Sequence, residues 1–167
     1  MIEAFVDVVV GGTLGGRRTG GDSMRQALLG GLMLALAGCG AAQVAMAPPN
    51  QDVAGKQFNP PPAGMAAIYF YNPVTTGPAI NVREGPMFIG QLAPMTWMRI
   101  ETTPGWHAMH CATSDSANWS SIRLAPGEIG FVDVEMSPGS LVCSIQQTGP
   151  DAGRAGVLAG SRALQQQ

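Results

Sequence analysis

The chain has 167 residues and a formal net charge of -2, from 9 Lys and Arg against 11 Asp and Glu. Only 12% of its residues are charged, about half the usual share, while 46% are hydrophobic. The length fits one domain of ordinary size. The mild acidic balance argues against a nucleic-acid-binding protein, which normally carries a clustered basic face. The 3 Cys are too few for a disulfide-dense scaffold.

An apolar run near the start predicts an export signal. Residues 27–37 form this run behind Arg25, and as a helix they would rise only about 16 Å, half of a bilayer core. This length is typical of the apolar region of a secretory signal peptide. The run ends in a tetrapeptide that resembles the lipobox of bacterial lipoproteins, in which the Cys39 thiol carries the lipid: Leu36, Ala37, Gly38 and Cys39.

The residues before this run do not fit a signal peptide, because they include Glu3, Asp7 and Asp22. A start at Met24 gives the standard order of a positive charge followed by an apolar run. We therefore expect a signal peptide over residues 24–38 within a leader of residues 1–38. The alternative is a buried core helix, which the two internal glycines Gly30 and Gly31 would weaken.

Composition divides the rest of the chain into three parts. Residues 39–63 are rich in Pro, Gly, Gln, Asn and Ala, which predicts an extended tether behind the lipidated Cys39. Residues 64–148 hold most of the aromatic residues and are expected to fold. Residues 149–167 are rich in Ala, Gly and Gln and are expected to form a flexible or weakly helical tail.

The folding part reads as short strands separated by turns. Pairs such as Gly85-Pro86, Pro104-Gly105 and Pro126-Gly127 fix backbone angles that end a strand and reverse the chain. Regularly spaced short strands of this kind predict an all-β protein, a small antiparallel β-sandwich. The predicted strands are 65–71, 80–84, 87–92, 97–102, 106–112, 119–124, 128–136 and 140–146.

Alternation defines the faces of the last two strands. Val132, Val134 and Met136 share one face, and the acidic residues Asp133 and Glu135 share the other. By the same rule, a single apolar face of the last strand holds Leu141, Cys143 and Ile145.

Four segments in this order resemble the domain of unknown function 2846 family, a group of bacterial lipoproteins and secreted proteins with a small β-sandwich. The resemblance covers about residues 64–147. Asn72 stands where the family has Arg, and the strand after Gly127 lacks its usual Tyr pair. The segments are Ala-Ile-Tyr-Phe-Tyr-Asn-Pro at 67–73, Phe-Ile-Gly-Gln-Leu at 88–92, Pro-Gly-Trp-His at 104–107 and Leu-Ala-Pro-Gly-Glu-Ile at 124–129.

The resemblance implies a fold and a location but supplies no catalytic residue. With Gly40 after Cys39, the chain lacks the Asp that retains some lipoproteins in the inner membrane. We therefore expect an envelope protein, lipid-anchored in the outer membrane and facing the periplasm.

Two cysteines remain once Cys39 is assigned to the anchor. Export would place Cys111 and Cys143 in a compartment where disulfides form. A bond between them would stabilise the domain by roughly 3–4 kcal/mol on the chain-entropy argument. The alternative is two buried free thiols, which behave as small hydrophobic groups.

The sequence contains little that resembles a common catalytic or metal-binding pattern. His107 and His110 lie three residues apart, so in a strand they point to opposite faces and cannot chelate one ion. Ser114, Ser116 and Asp115 are typical of a polar turn rather than a catalytic triad. We expect no enzymatic activity, no cofactor and no metal.

Three tryptophans allow two interpretations. If Trp97, Trp106 and Trp119 are exposed together, they would form a platform for a carbohydrate or a peptide. If they are buried, they form the core, which the spacing and the scarcity of other large side chains favour. The sequence thus predicts a lipid-anchored structural or interaction domain with an envelope partner. The alternatives are a ligand-binding module that uses the tryptophans and, less favoured, a hydrolase.

Overall fold

The computed structural model describes residues 44–137 and 142–166. The expected signal peptide and Cys39 lie outside this range. In chain order the described elements are α1 Pro49–Gly55, β1 Ala66–Asn72, β2 Ile80–Glu84, β3 Met87–Leu92, β4 Thr96–Thr102, β5 Gly105–Ala112, β6 Ala117–Leu124, β7 Ile129–Met136, β8 Cys143–Thr148, α2 Pro150–Ala159 and β9 Ser161–Arg162.

The strands form two packed sheets, which confirms the predicted β-sandwich. One sheet has the order β8-β7-β1-β4-β9 and the other β3-β2-β5-β6. The pairs are antiparallel except for β1 with β7 and β4 with β9, which are parallel. Seven of the eight predicted strands agree with the structure to within two residues at each end. The last predicted strand, 140–146, corresponds to β8 Cys143–Thr148, and residues 138–141 lie outside the described part.

The space between the sheets holds an apolar core. Alternation places Val132 and Val134 of β7 in this core, and both are fully buried, as predicted. Met136, on the same face, is partly buried and packs against this core. Other fully buried members come from strands of both sheets: Ile68, Phe70, Val82, Met98, Met109 and Ile122.

A second core covers the outer face of the five-stranded sheet. Tyr69, Trp97 and Phe131 project from this face, and the Tyr69 ring lies 5.4 Å from that of Phe131 and 5.6 Å from that of Trp97. Val157 of α2 is buried among these aromatic residues. The helices therefore form a third layer over the sandwich.

Two glycines allow α2 to approach the sheet closely. A Cβ atom at Gly153 would lie 2.2 Å from Cγ of Phe131, and one at Gly156 would lie 2.2 Å from Cε2 of Tyr71. No larger residue fits at either position without a shift of the helix or the rings.

The segments that flank the strands are more structured than the expected extended tether and flexible or weakly helical tail. Residues 49–55 form α1, and Met46 forms a β-bridge with Ala163. Residues 150–159 form α2, packed on the sheet. Each helix has Pro at its start, where its fixed φ and missing N–H are favourable. The exposed aromatic face of the sheet explains why both segments fold onto it.

Candidate functional site

The predicted disulfide is present and joins the two sheets. Cys111 of β5 bonds to Cys143 of β8 with a Cα–Cα distance of 6.2 Å, and both residues are fully buried. The Asn118 side-chain amide also donates a hydrogen bond to the carbonyl of Cys143. This end of the sandwich is therefore closed covalently as well as by packing.

The three tryptophans lie in two different environments. Trp97 of β4 is fully buried beneath α1, and its indole Nε1 donates to Asp52 at 3.1 Å. Trp106 of β5 and Trp119 of β6 are 72% and 67% exposed. Neither sequence interpretation is right for all three residues, since Trp97 belongs to a core and the other two belong to the surface.

Trp106 and Trp119 share the outer face of the four-stranded sheet. Trp106 pairs with Arg123, and Trp119 pairs with His110, four residues further along β5. The two indoles are therefore separated by about 13 Å along the strands. We call this surface the Trp face and define it by the solvent-facing residues of three strands: Arg83, Trp106, Ala108, His110, Trp119, Ser121 and Arg123.

The Trp face is positively charged and has small side chains between its two tryptophans. Arg83 and Arg123 are both exposed, and none of the seven residues is acidic. The face is therefore positive in a chain whose net charge is -2. Ala108 and Ser121 are paired between the two tryptophans and leave a shallow floor there.

The buried face of β5 carries His107, whose contact with Glu84 was not predicted from the sequence. His107 is buried, and its Nδ1 lies 2.6 Å from Oε1 of Glu84. Its Nε2 lies 2.8 Å from the carbonyl oxygen of Thr103. Both ring nitrogens of His107 therefore lie within hydrogen-bond distance of an oxygen atom from another residue. This pair joins β2, β5 and the turn before β5.

The two histidines lie on opposite faces of β5, as alternation predicts. His110 lies on the Trp face, on the side of β5 opposite to His107. The Ser114 hydroxyl donates to its neighbour Asp115 at 2.7 Å within the turn between β5 and β6. No group of three metal-ligating side chains occurs within residues 44–137 and 142–166.

Asp133 is the acidic group most affected by its surroundings. Burial on the outer face of β7 raises its pKa to about 6, and the charge of Glu135 adds to this effect. The Tyr71 hydroxyl acts on this pKa in the opposite direction. Oδ1 of Asp133 is buried with no hydrogen-bond partner among the described residues.

A cleft of about 530 Å³ opens between the edges of β3 and β4. Phe88 and Ile89 of β3 form one wall, and Arg99 and Ile100 of β4 form another. The third side comes from the residues after β9, which cross between the sheets, since the backbone N–H of Gln166 donates to the carbonyl of Ile89. The sequence gives no signal for this cleft.

The proposed lipobox, Leu36, Ala37, Gly38 and Cys39, lies outside the described residues. Within the part of the chain that the structure describes, no helix is long and apolar enough to span a bilayer. In comparisons with known proteins, no family model matches this chain and no curated protein matches it.

Proposed function

We propose that the protein is an exported, lipid-anchored envelope protein that binds an anionic glycan through the Trp face and catalyses no reaction. The observation that carries this proposal is the exposure of Trp106 and Trp119 on one positively charged sheet face. Exposed Trp side chains are costly in water and are typical of binding surfaces.

The chemistry of the Trp face suits a sugar polymer. An indole ring stacks on the apolar face of a sugar, and the shallow floor at Ala108 and Ser121 leaves room for a chain that runs from one ring to the other. Arg83 and Arg123 provide donors for carboxylates or sulfates on that chain. The seven residues of the Trp face include no carboxylate that would repel such a ligand.

Export and anchoring rest on separate support. The disulfide between Cys111 and Cys143 is typical of proteins that fold in an oxidising compartment. The tetrapeptide ending at Cys39 supports a lipid anchor at the membrane. Gly40 after Cys39, in place of the Asp that retains some lipoproteins in the inner membrane, favours the outer membrane, facing the periplasm.

Tryptophan fluorescence tests the binding proposal. We expect a hexamer of galacturonate, which is anionic, to change the emission saturably and to protect it from acrylamide, while maltohexaose, which is neutral, has a weaker effect. Trp106→Ala and Trp119→Ala should each weaken binding at least tenfold. Val53→Ala, at an exposed position on α1, is the control and should bind like wild type.

Two results would contradict the proposal. One is the absence of any emission change with the anionic hexamer. The other is equal binding by wild type and by both Trp variants, once circular dichroism shows that the variants are folded.

A further inference from the structure

The cleft between β3 and β4 shares no lining residue with the Trp face and contains an arginine whose guanidinium forms no ion pair among the described residues. Arg162 of β9 lines it and forms no ion pair with any carboxylate in residues 44–137 and 142–166. Its guanidinium donates only to neutral oxygens there, the carbonyl of Gln51 at 3.2 Å and the side-chain oxygen of Gln165 at 3.5 Å.

The guanidinium of Arg162 is also held in place and partly removed from water. It lies 5.3 Å above the ring of Trp97, which fixes its position by a cation–π contact. Burial is the largest effect on its pKa and lowers it, and the like charge of Arg99 acts in the same direction, while Tyr69 and the Asp52 carboxylate act in the opposite direction. Asp52 accepts only the backbone N–H of Arg162 and forms no ion pair with its guanidinium, so a ligand anion would stabilise this partly buried charge.

Arg99 adds a second guanidinium to the same cleft. One of its nitrogens lies 3.1 Å from Glu101, and another donates to the carbonyl of Asn59 at 3.3 Å. Its Nε is buried with no partner among the described residues. The cleft is lined by these two arginines and a single carboxylate, so its charge is +1 and its hydrogen-bond donors are in excess.

The rest of the cleft is apolar and of a size that suits a small molecule. Phe88, Ile89 and Ile100 provide aliphatic and aromatic surface next to the arginines. The volume of about 530 Å³ lies within the range of roughly 300–1,000 Å³ that is usual for ligand pockets. A ligand that matches both parts has an anionic head and an apolar body.

We propose that this cleft binds an anionic amphiphile, a molecule with one carboxylate or phosphate head and an apolar tail, and that Arg162 binds the head group. The planar guanidinium presents paired N–H donors that match either kind of head. The tail then lies against Phe88, Ile89 and Ile100. This site goes beyond the glycan-binding function proposed for the Trp face.

Methyl NMR on the full chain carrying Cys39→Ser, without an attached lipid, tests the proposal. The probes are octanoate, octyl phosphate and the neutral 1-octanol. We expect octanoate, octyl phosphate or both to shift the methyl signals of Ile89 and Ile100 saturably, at least tenfold more tightly than 1-octanol. The anion that binds more tightly identifies the head group. The methyl of Ile122, in the core between the sheets, should not move.

Variants separate the cleft from nonspecific binding. Arg162→Gln should weaken binding of the anion at least tenfold, and Arg123→Gln, on the Trp face, should leave it unchanged. Gln165→Glu places a carboxylate beside Arg162 and should also weaken binding, which covers the case in which Arg162→Gln does not fold.

Three results would overturn the proposal. The first is the absence of shifts at Ile89 and Ile100 with both anions. The second is binding of 1-octanol as tight as that of the anions. The third is wild-type affinity in a folded Arg162→Gln or Gln165→Glu variant. None of these readouts depends on the Trp face, so each proposal can fail separately.

Discussion

Asp52 of α1 accepts a hydrogen bond at 3.1 Å from the indole Nε1 of Trp97, which lies 45 residues further along the chain. The same carboxylate oxygen accepts the backbone N–H of Arg162 at 2.7 Å, and the second oxygen forms an ion pair with Lys56 at 2.8 Å. One side chain thus joins a helix, a central strand and an edge strand.

We expect Asp52→Ala to lower the free energy of unfolding by about 2 kcal/mol. The change leaves the indole N–H of Trp97 and the backbone N–H of Arg162 without their acceptor, and hydrogen bonds to a charged group contribute about 1.5–3 kcal/mol. Lys56→Ala is the matched comparison and should cost under about 1 kcal/mol, since it removes only a surface ion pair. Urea unfolding followed by tryptophan fluorescence measures both. Equal effects would assign the stabilisation to the ion pair alone.

The stabilisation that Asp52 provides should decrease at low pH. Burial acts to raise the pKa of Asp52, but its ion pair and hydrogen bonds outweigh burial and lower that pKa below 3.8. The stabilisation is therefore present above about pH 4 and is lost as the pH falls further.

Gly153→Ala and Gly156→Ala should each lower the free energy of unfolding by about 1–3 kcal/mol, because the added Cβ overlaps a ring of the sheet. Gly149→Ala is the control, since a Cβ there meets no atom within 4 Å. It should cost no more than about 1 kcal/mol, as expected for a change at a helix N-cap. Thermal unfolding by circular dichroism compares the three. Stabilisation by Ala at position 153 or 156, through helix propensity, would contradict the close packing of α2.

Asp133→Asn should remove a pH dependence of stability. The pKa of Asp133 is raised to about 6, so between about pH 4 and pH 6 the folded state retains a proton that the unfolded state has lost. Stability therefore falls as the pH rises through this window, and the variant should be more stable than wild type at pH 7. Urea midpoints from pH 4 to pH 8 measure this. Asp151→Asn, an exposed change on α2, should keep the wild-type slope, and an identical slope in Asp133→Asn would refute the prediction.

Replacing both Cys111 and Cys143 by Ala should lower the free energy of unfolding by roughly 2–4 kcal/mol, because the cross-link closes a loop between residues 32 positions apart. A reductant should destabilise wild type by a similar amount and leave the double variant unchanged. Mass spectrometry after alkylation without reductant provides an independent measurement. Alkylation of both Cys111 and Cys143 in the wild-type protein would show that the bond does not form.

The strands could be predicted from the sequence because local signals define them. Pro-Gly and Gly-Pro pairs mark the turns, and alternation in β7 and β8 gives the correct buried faces for Val132, Val134, Cys143 and Ile145. The helices could not be predicted in the same way. α1 is short, and the glycines Gly153 and Gly156, which α2 needs for close packing, lower its intrinsic helix propensity.

The exposure of Trp106 and Trp119 could have been predicted from the sequence. Burial of Cys111 places Met109 and His107 on the inner face of β5, so alternation turns Trp106 outward. Ile122 and Leu124 turn Trp119 outward in β6 by the same argument. The scarcity of other large residues misled the prediction, because Tyr69 and Phe131 fill the second core beside Trp97. The cleft at Arg162 depends on contacts between distant segments, and no local pattern indicates them.

Metabolic labelling with an alkyne analogue of palmitate, in cells that express the full chain, tests the central claim of a lipid-anchored envelope protein most directly. We expect label in the membrane fraction for wild type and for the Cys111→Ala/Cys143→Ala control, and none for Cys39→Ala. Labelling that persists in Cys39→Ala, or is absent from wild type, would contradict the anchor at Cys39.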